Sequence, residues 1–213
     1  ILVPLILLLS ACGASTQASA RYQLGLQYWS GQGVAKDQPK AIELFTSAAN
    51  DGNADAQLTL GYVYLKGQGV EADPAKAIGL FVQAAQQGNR DAQYNAGLAY
   101  ARAQGTDEDF AEAIRWFTAA AMQSDAGAAY NLGVMHANGE GTPVDQVTAH
   151  AWFTIAAGLG DANAAEDAKG LEADLSAEER EESKRIAARL KADIKVPASQ
   201  GVQPSVKGEA TPL

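Results

Sequence analysis

The chain has 213 residues, 47% of them apolar, with one cysteine and a formal net charge of −9. That balance argues against a nucleic-acid-binding surface, which needs clustered Lys and Arg to meet phosphate. One cysteine excludes an internal disulfide, and the acidity reads most simply as solubility.

Residues 1–9 are almost wholly apolar. The run is too short to span a bilayer but suits the apolar region of a signal peptide. It ends in Leu9-Ser10-Ala11-Cys12, which resembles the lipobox of bacterial lipoproteins. The resemblance implies a signal peptide over residues 1–11, cleavage before Cys12, and lipidation of the Cys12 thiol by three acyl chains, beyond the single chain that anchors only marginally. The alternative is an ordinary secretory signal that leaves a free thiol near the terminus. Gly13 follows the cysteine. An aspartate there would favour inner-membrane retention in a Gram-negative cell, so the expected location is the outer membrane, facing the periplasm. Residues 13–19 are small and polar and predict a flexible tether after Cys12.

From residue 20 the chain repeats. Gly25, Gly61, Gly97 and Gly133 are each 36 apart (61−25, 97−61, 133−97), as are Ala41, Ala77, Ala113 and Ala149, and Phe45, Phe81, Phe117 and Phe153. Self-similarity at this period marks a helical solenoid, whose units cannot bury their apolar faces alone. In the second copy Ala56, Leu60 and Tyr64 form a stripe at i, i+4, i+8 on a helix A. Gly61 interrupts that helix at a cost of about 1 kcal/mol, which suggests room for a neighbouring helix to pack close. Gly67 ends it in a left-handed cap. Asp73 caps helix B, with Pro74 at its first position, and the cap recurs as Asp37, Asp109 and Asp145. Ala77, Phe81, Ala84 and Ala85 form the buried face of helix B. Asn53, Asn89, Asp125 and Asp161 stand where the next helix A begins. All seven tyrosines fall in A helices and all five phenylalanines in B helices, as two different packing environments would sort them.

The third copy has Ala103-Gln104-Gly105 for the usual Gly-x-Gly and Ser124 for the closing glycine, so its turn is expected to differ slightly. After Asp161 the pattern frays into a capping pair over residues 161–195. The first helix spans 162–173, with Ala164 in phase. Ser176 and Glu179 form a capping-box sequence for the last. Ile186, Leu190 and Ile194 give that helix an apolar stripe, and Glu181 is spaced for an i,i+4 pair with Arg185. Residues 196–213 carry three prolines and no periodicity, and predict disorder.

The unit A-x-x-x-L-G-x-x-Y…G-x-G-V…D-x-x-K-A-I-x-L-F-x-x-A-A-x-x-G resembles the Sel-one-like repeat, a relative of the tetratricopeptide repeat. It is matched by Ala56, Leu60, Gly61, Tyr64, Gly67, Gly69, Val70, Asp73, Lys76, Ala77, Phe81, Ala84, Ala85 and Gly88. The resemblance spans residues 20–160 and implies an all-α fold, an α-solenoid of four helix-turn-helix units with a C-terminal capping helix pair. For function it implies an adaptor, assembly or regulatory protein, including factors in exopolysaccharide export. Cysteine-rich relatives bridge the two helices of each unit; this chain must rely on packing.

No residue set predicts catalysis, a cofactor or a metal. Cys12, once acylated, is no nucleophile. His136 and His150 occupy repeat positions, without further ligands nearby. The Gly-x-Gly pairs at 31/33, 67/69 and 139/141 lack the third glycine and preceding strand of a phosphate loop. A hydrolase of penicillin-binding or β-lactamase type is the alternative from another class, but no Ser-x-x-Lys motif lies in the repeats, and Ser183-Lys184 has the wrong spacing.

In related tetratricopeptide arrays the A helices line the concave face. Alignment on Gly61 then puts Tyr22, Trp29, Tyr62, Lys66, Tyr94, Arg102 and Tyr130 on it, with Asn95 and Asn131 beside them. Tyrosine, asparagine and two cations suit a protein or peptide partner with exposed backbone amides and a carboxylate. The competing reading packs Tyr22, Tyr94 and Tyr130 against the next repeat. Tyr28, Tyr64 and Tyr100 are assigned to the core.

Overall fold

A computed structural model of the chain describes residues 3–104 and 108–195, with no side chain of residues 3–12 or 14 among them. Among the described residues there are ten α-helices and no strand. The A helices are α1 (Val3–Ser30), α3 (Ala54–Lys66), α5 (Arg90–Ala101), α7 (Ala126–Asn138) and α9 (Ala162–Asp174). The B helices are α2 (Gln38–Asn50), α4 (Pro74–Gln86), α6 (Phe110–Ala121) and α8 (Gln146–Gly158), and α10 (Ala177–Asp193) closes the series. The chain divides into two compact units, Ile1–Ala92 and Gln93–Leu213.

Each helix from α2 onward begins where a side chain can accept an orphan backbone N–H. Asp37, Asp73, Asp109 and Asp145 accept from the amide three residues on, at 2.9–3.0 Å, at every B helix. Asn53, Asn89, Asp125 and Asp161 do the same for A helices. Each such cap contributes about 1 kcal/mol. The capping Asp of each B helix also donates its own N–H to a carbonyl of the preceding A helix, that of Tyr28, Tyr64, Tyr100 or His136, at 2.9–3.1 Å. That bond closes the hairpin of every repeat.

The glycines inside the A helices are explained by the B-helix phenylalanines. A Cβ on Gly25, Gly97 or Gly133 would fall 2.6 Å from the ring of Phe45, Phe117 or Phe153, and one on Gly61 would come closer still to Phe81. The room they leave is taken by a ring of the same repeat. Phe45 and Phe117 are 0% exposed and Phe81 is 2% exposed. In the first unit Phe45 packs with Ala41, Ala48, Ala49, Ala56 and Leu60. In the second, Phe117 and Phe153 share a core with Leu132, Met135, Trp152 and Ile155.

Four expectations need correction. Residues 13–19 are helical, part of α1, and Ala18 is buried; alanine-rich sequence extends the first A helix where a flexible tether was expected. In the third repeat the substitutions at Ala103 and Ser124 leave the backbone as it is elsewhere, since both take the left-handed φ of the glycines they replace, 50° and 64°. An L-residue there costs about 1–2 kcal/mol. At Ser124 that cost is offset, because its Oγ donates to the Lys195 carbonyl at 3.0 Å while the Lys195 N–H bonds the Met122 carbonyl. Glu181 pairs with Lys184 and Glu182 with Arg185, both at i,i+3, so the expected Glu181–Arg185 pair is not the one formed. Tyr28, Tyr64 and Tyr100 are half-buried at the edge of the core. Tyr64 accepts a 2.8 Å bond from Lys76 Nζ, which also lies over its ring.

The capping pair forms as the sequence predicts. Ser176 and Glu179 make a reciprocal capping box, Ala164 is fully buried, and Ile186, Leu190 and Ile194 pack on the second core. The tail from Val196, expected to be disordered, and Gly105 of the third turn lie outside the described residues, as does the Cys12 side chain.

Candidate functional site

The residues expected on the A-helix face divide into three groups. Tyr22, Tyr94 and Tyr130 are half-buried, and each ring lies 5.4–5.9 Å from the phenylalanine of its own repeat, Phe45, Phe117 or Phe153. Trp29 also stacks on Phe45, at 6.1 Å. In the second repeat, where Leu58 holds the tyrosine position, Tyr62 meets Phe81 at 5.3 Å instead. Lys66 is exposed on the last turn of α3, and Arg102, at the end of α5, is half-buried. Asn95 and Asn131 are buried, at 8% and 0% exposure, and neither offers its side chain to a partner at the surface.

The tyrosine hydroxyls explain the burial of Asn131. Each reaches the residue 37 positions on, in the next A helix: Thr59 from Tyr22, Asn131 from Tyr94, Asp167 from Tyr130 (59−22, 131−94, 167−130). Tyr22 Oη and Thr59 Oγ1 are 3.2 Å apart. The Tyr94 hydroxyl faces Asn131, and neither polar atom of that buried amide has a hydrogen-bond partner. The Tyr130 hydroxyl faces the Asp167 carboxylate, and its pKa is pushed up to about 12, first by burial and then by Asp167 and Asp161. Both readings of these tyrosines therefore apply to the same side chains: one face packs the repeat, and the remainder borders the surface.

One groove opens on this face within the second unit. It has a volume of about 500 Å³, in the range of ligand sites. Tyr130, Val134, Ala137 and Asn138 of α7 form one wall, Phe153 the floor, and Glu166, Asp167, Gly170 and Leu171 of α9 the other wall. The α9 residues were not among those expected on this face, although Ala164 already carries the register into this helix. One more period would have found them: Glu166 follows Tyr130 by 36, Asp167 follows Asn131 and Gly170 follows Val134.

Ser183 Oγ and His150 Nδ1 are 2.7 Å apart, but Ser183 is 1% exposed and joins α10 to α8 as packing. Burial pushes the His150 imidazole below its ordinary range, and His136 likewise. Among the described residues no group of three or more His, Cys, Asp or Glu could hold a metal ion.

The Sel1 repeat pattern matches residues 18–53, 54–89, 90–125 and 126–161. The chain belongs to the Sel1 repeat family. A Sel1 repeat protein from Oxalobacter formigenes is 32% identical with a TM-score of 0.66, over 81% of this chain and 73% of that one. A protective antigen of uropathogenic Escherichia coli strains, with an SLR fold, is 29% identical with a TM-score of 0.72 over 89% of this chain. This chain spans 43% of that antigen's length. No curated protein sequence matches the chain. Sel1 repeats generally mediate protein–protein interaction, and their scaffolds are generally non-catalytic.

Proposed function

We propose that this Sel1 repeat chain is a membrane-tethered scaffold of the bacterial envelope, binding a protein or peptide partner on its A-helix face without chemistry of its own. The observation that carries the reading is the open groove between α7 and α9, floored by Phe153 and edged by Asn138, Glu166 and Asp167. An apolar floor with a polar rim is the usual anatomy of a protein interface. The Leu9-Ser10-Ala11-Cys12 sequence supports lipidation at Cys12 and an outer-membrane site facing the periplasm. Among the described residues no helix is long and apolar enough to cross a membrane, so a covalent lipid is the anchor this reading needs.

A photo-crosslinking residue at Asn138 or Lys66, exposed on the last turns of α7 and α3, should capture a discrete partner in intact cells. The same residue at Glu43, exposed on a B helix, should not. Equal capture from all three positions, or none, would remove the A-helix face from the proposal. Cys12→Ala should move the protein from the membrane to the soluble fraction without altering its melting temperature.

A further inference from the structure

The groove between α7 and α9 is made by two changes of residue type. At the position held by Tyr22, Tyr94 and Tyr130 in earlier A helices, α9 has Glu166; at the position held by Leu26, Tyr62, Leu98 and Val134 it has Gly170. Bulk that would fill the space beside Tyr130 and Val134 is missing. A Cβ on Gly170 would meet nothing within 4 Å, unlike the A-helix glycines pressed against phenylalanine rings. No packing demand of the described residues therefore calls for a glycine there.

The same register also places charge. The residue facing a tyrosine hydroxyl is neutral at Thr59 and Asn131 but is a carboxylate at Asp167. Asp167 and Tyr130 line the same groove, and a carboxylate has acceptor sites for several donors. Glu166 stands beside it on the same wall. Across from both carboxylates the wall is Val134 and Ala137, over Phe153, and among the described residues no basic side chain lines the groove.

We propose that this groove takes an arginine-containing peptide segment of the partner, with the guanidinium on Asp167 and Glu166 and its aliphatic stem and a neighbouring apolar side chain against Val134, Ala137 and Leu171. Arginine suits the site because its planar fork matches carboxylates and its weakly hydrated head tolerates an apolar wall. The net charge of −9 would draw such a segment in from solution. The inference rests on the scaffold reading and adds the chemistry of its partner.

The test uses the full chain and a fluorescein-labelled peptide of alternating arginine and leucine, read by anisotropy. Glu166→Gln with Asp167→Asn keeps the size and polarity of both side chains while removing their charge, and should weaken binding about tenfold. Glu71→Gln with Glu178→Gln removes the same charge from exposed positions and should change affinity less than about twofold. Gly170→Leu should also weaken binding while leaving the melting temperature in place. Equal losses in the two charge variants would mean diffuse attraction by an acidic protein and would overturn the assignment, as would no binding by the unaltered chain. A dimer of this chain dissolved by the groove variants, or tighter peptide binding after removal of residues 196–213, would name a different occupant and also overturn it. If in-cell capture from Asn138 persists in the Glu166/Asp167 variant, the scaffold reading stands and only this groove chemistry fails.

Discussion

A methyl group added to Gly61 would collide with the Phe81 ring, and that ring is 2% exposed with the core around it. Overpacking of this kind costs about 1–3 kcal/mol, more than the roughly 1 kcal/mol that alanine gains in a helix interior. Gly61→Ala should therefore lower the urea midpoint. Gly170→Ala meets only open space and should raise it, with stability up by about 0.5–1 kcal/mol. Both should leave the m-value unchanged. Opposite signs for one substitution at two A-helix glycines separate a glycine kept for packing from one that leaves a groove. The sequence showed that Gly61 and Phe81 recur in step, because period is visible in one dimension. It did not show that they touch, nor that Asn131 is covered by the hydroxyl of a tyrosine one repeat earlier. Burial at 37 residues' separation depends on how successive A helices stack.

The last helix shows how an element is held by both local and distant bonds. The capping box of Ser176 and Glu179 and the stripe of Ile186, Leu190 and Ile194 are local patterns, and the sequence carried them. The acidic-basic run after them permits i,i+3 and i,i+4 pairs alike, so its pairing could not be read in advance. The bond between His150 and Ser183 spans 33 residues and has no local signature. It makes the attachment of α10 to α8 sensitive to pH. His150 is surrounded by Ser183, Glu172 and Lys184, and burial lowers its pKa from the ordinary 6.5. The unfolded chain therefore takes up a proton at higher pH than the folded one. Stability is full above the ordinary value and is lost as pH falls from there toward the lower folded pKa. The melting temperature should fall between about pH 7 and pH 5. His150→Gln should flatten that slope in part, leaving the share due to His136, whose pKa burial also lowers. An undiminished slope in His150→Gln would assign the effect elsewhere.

At the scale of the whole chain, repetition decides how damage spreads. In a repeat array each unit contacts its neighbours alone, so stability is a sum of unit and interface contributions. The phenylalanines are large side chains buried within their units: Phe45 packs among α1–α3 residues, and Phe153 packs among residues of the second unit. Truncating either to alanine should cost about 3–5 kcal/mol where it sits. Which repeats exist was plain from the spacing of glycine, alanine and phenylalanine. How far a loss in one travels was not, because coupling depends on interface strength, which composition does not report. Hydrogen exchange read by mass spectrometry resolves it. Phe45→Ala should speed exchange through α1, α2 and α3 while α7 to α10 keep their protection, and Phe153→Ala should do the reverse. Local opening of this kind lets one part of a scaffold loosen around a partner while the rest holds its shape. Uniform loss of protection across α1 to α10 from either substitution would instead mean that the chain unfolds as one cooperative body, and that the stability of the groove beside α9 depends on packing as distant as Phe45.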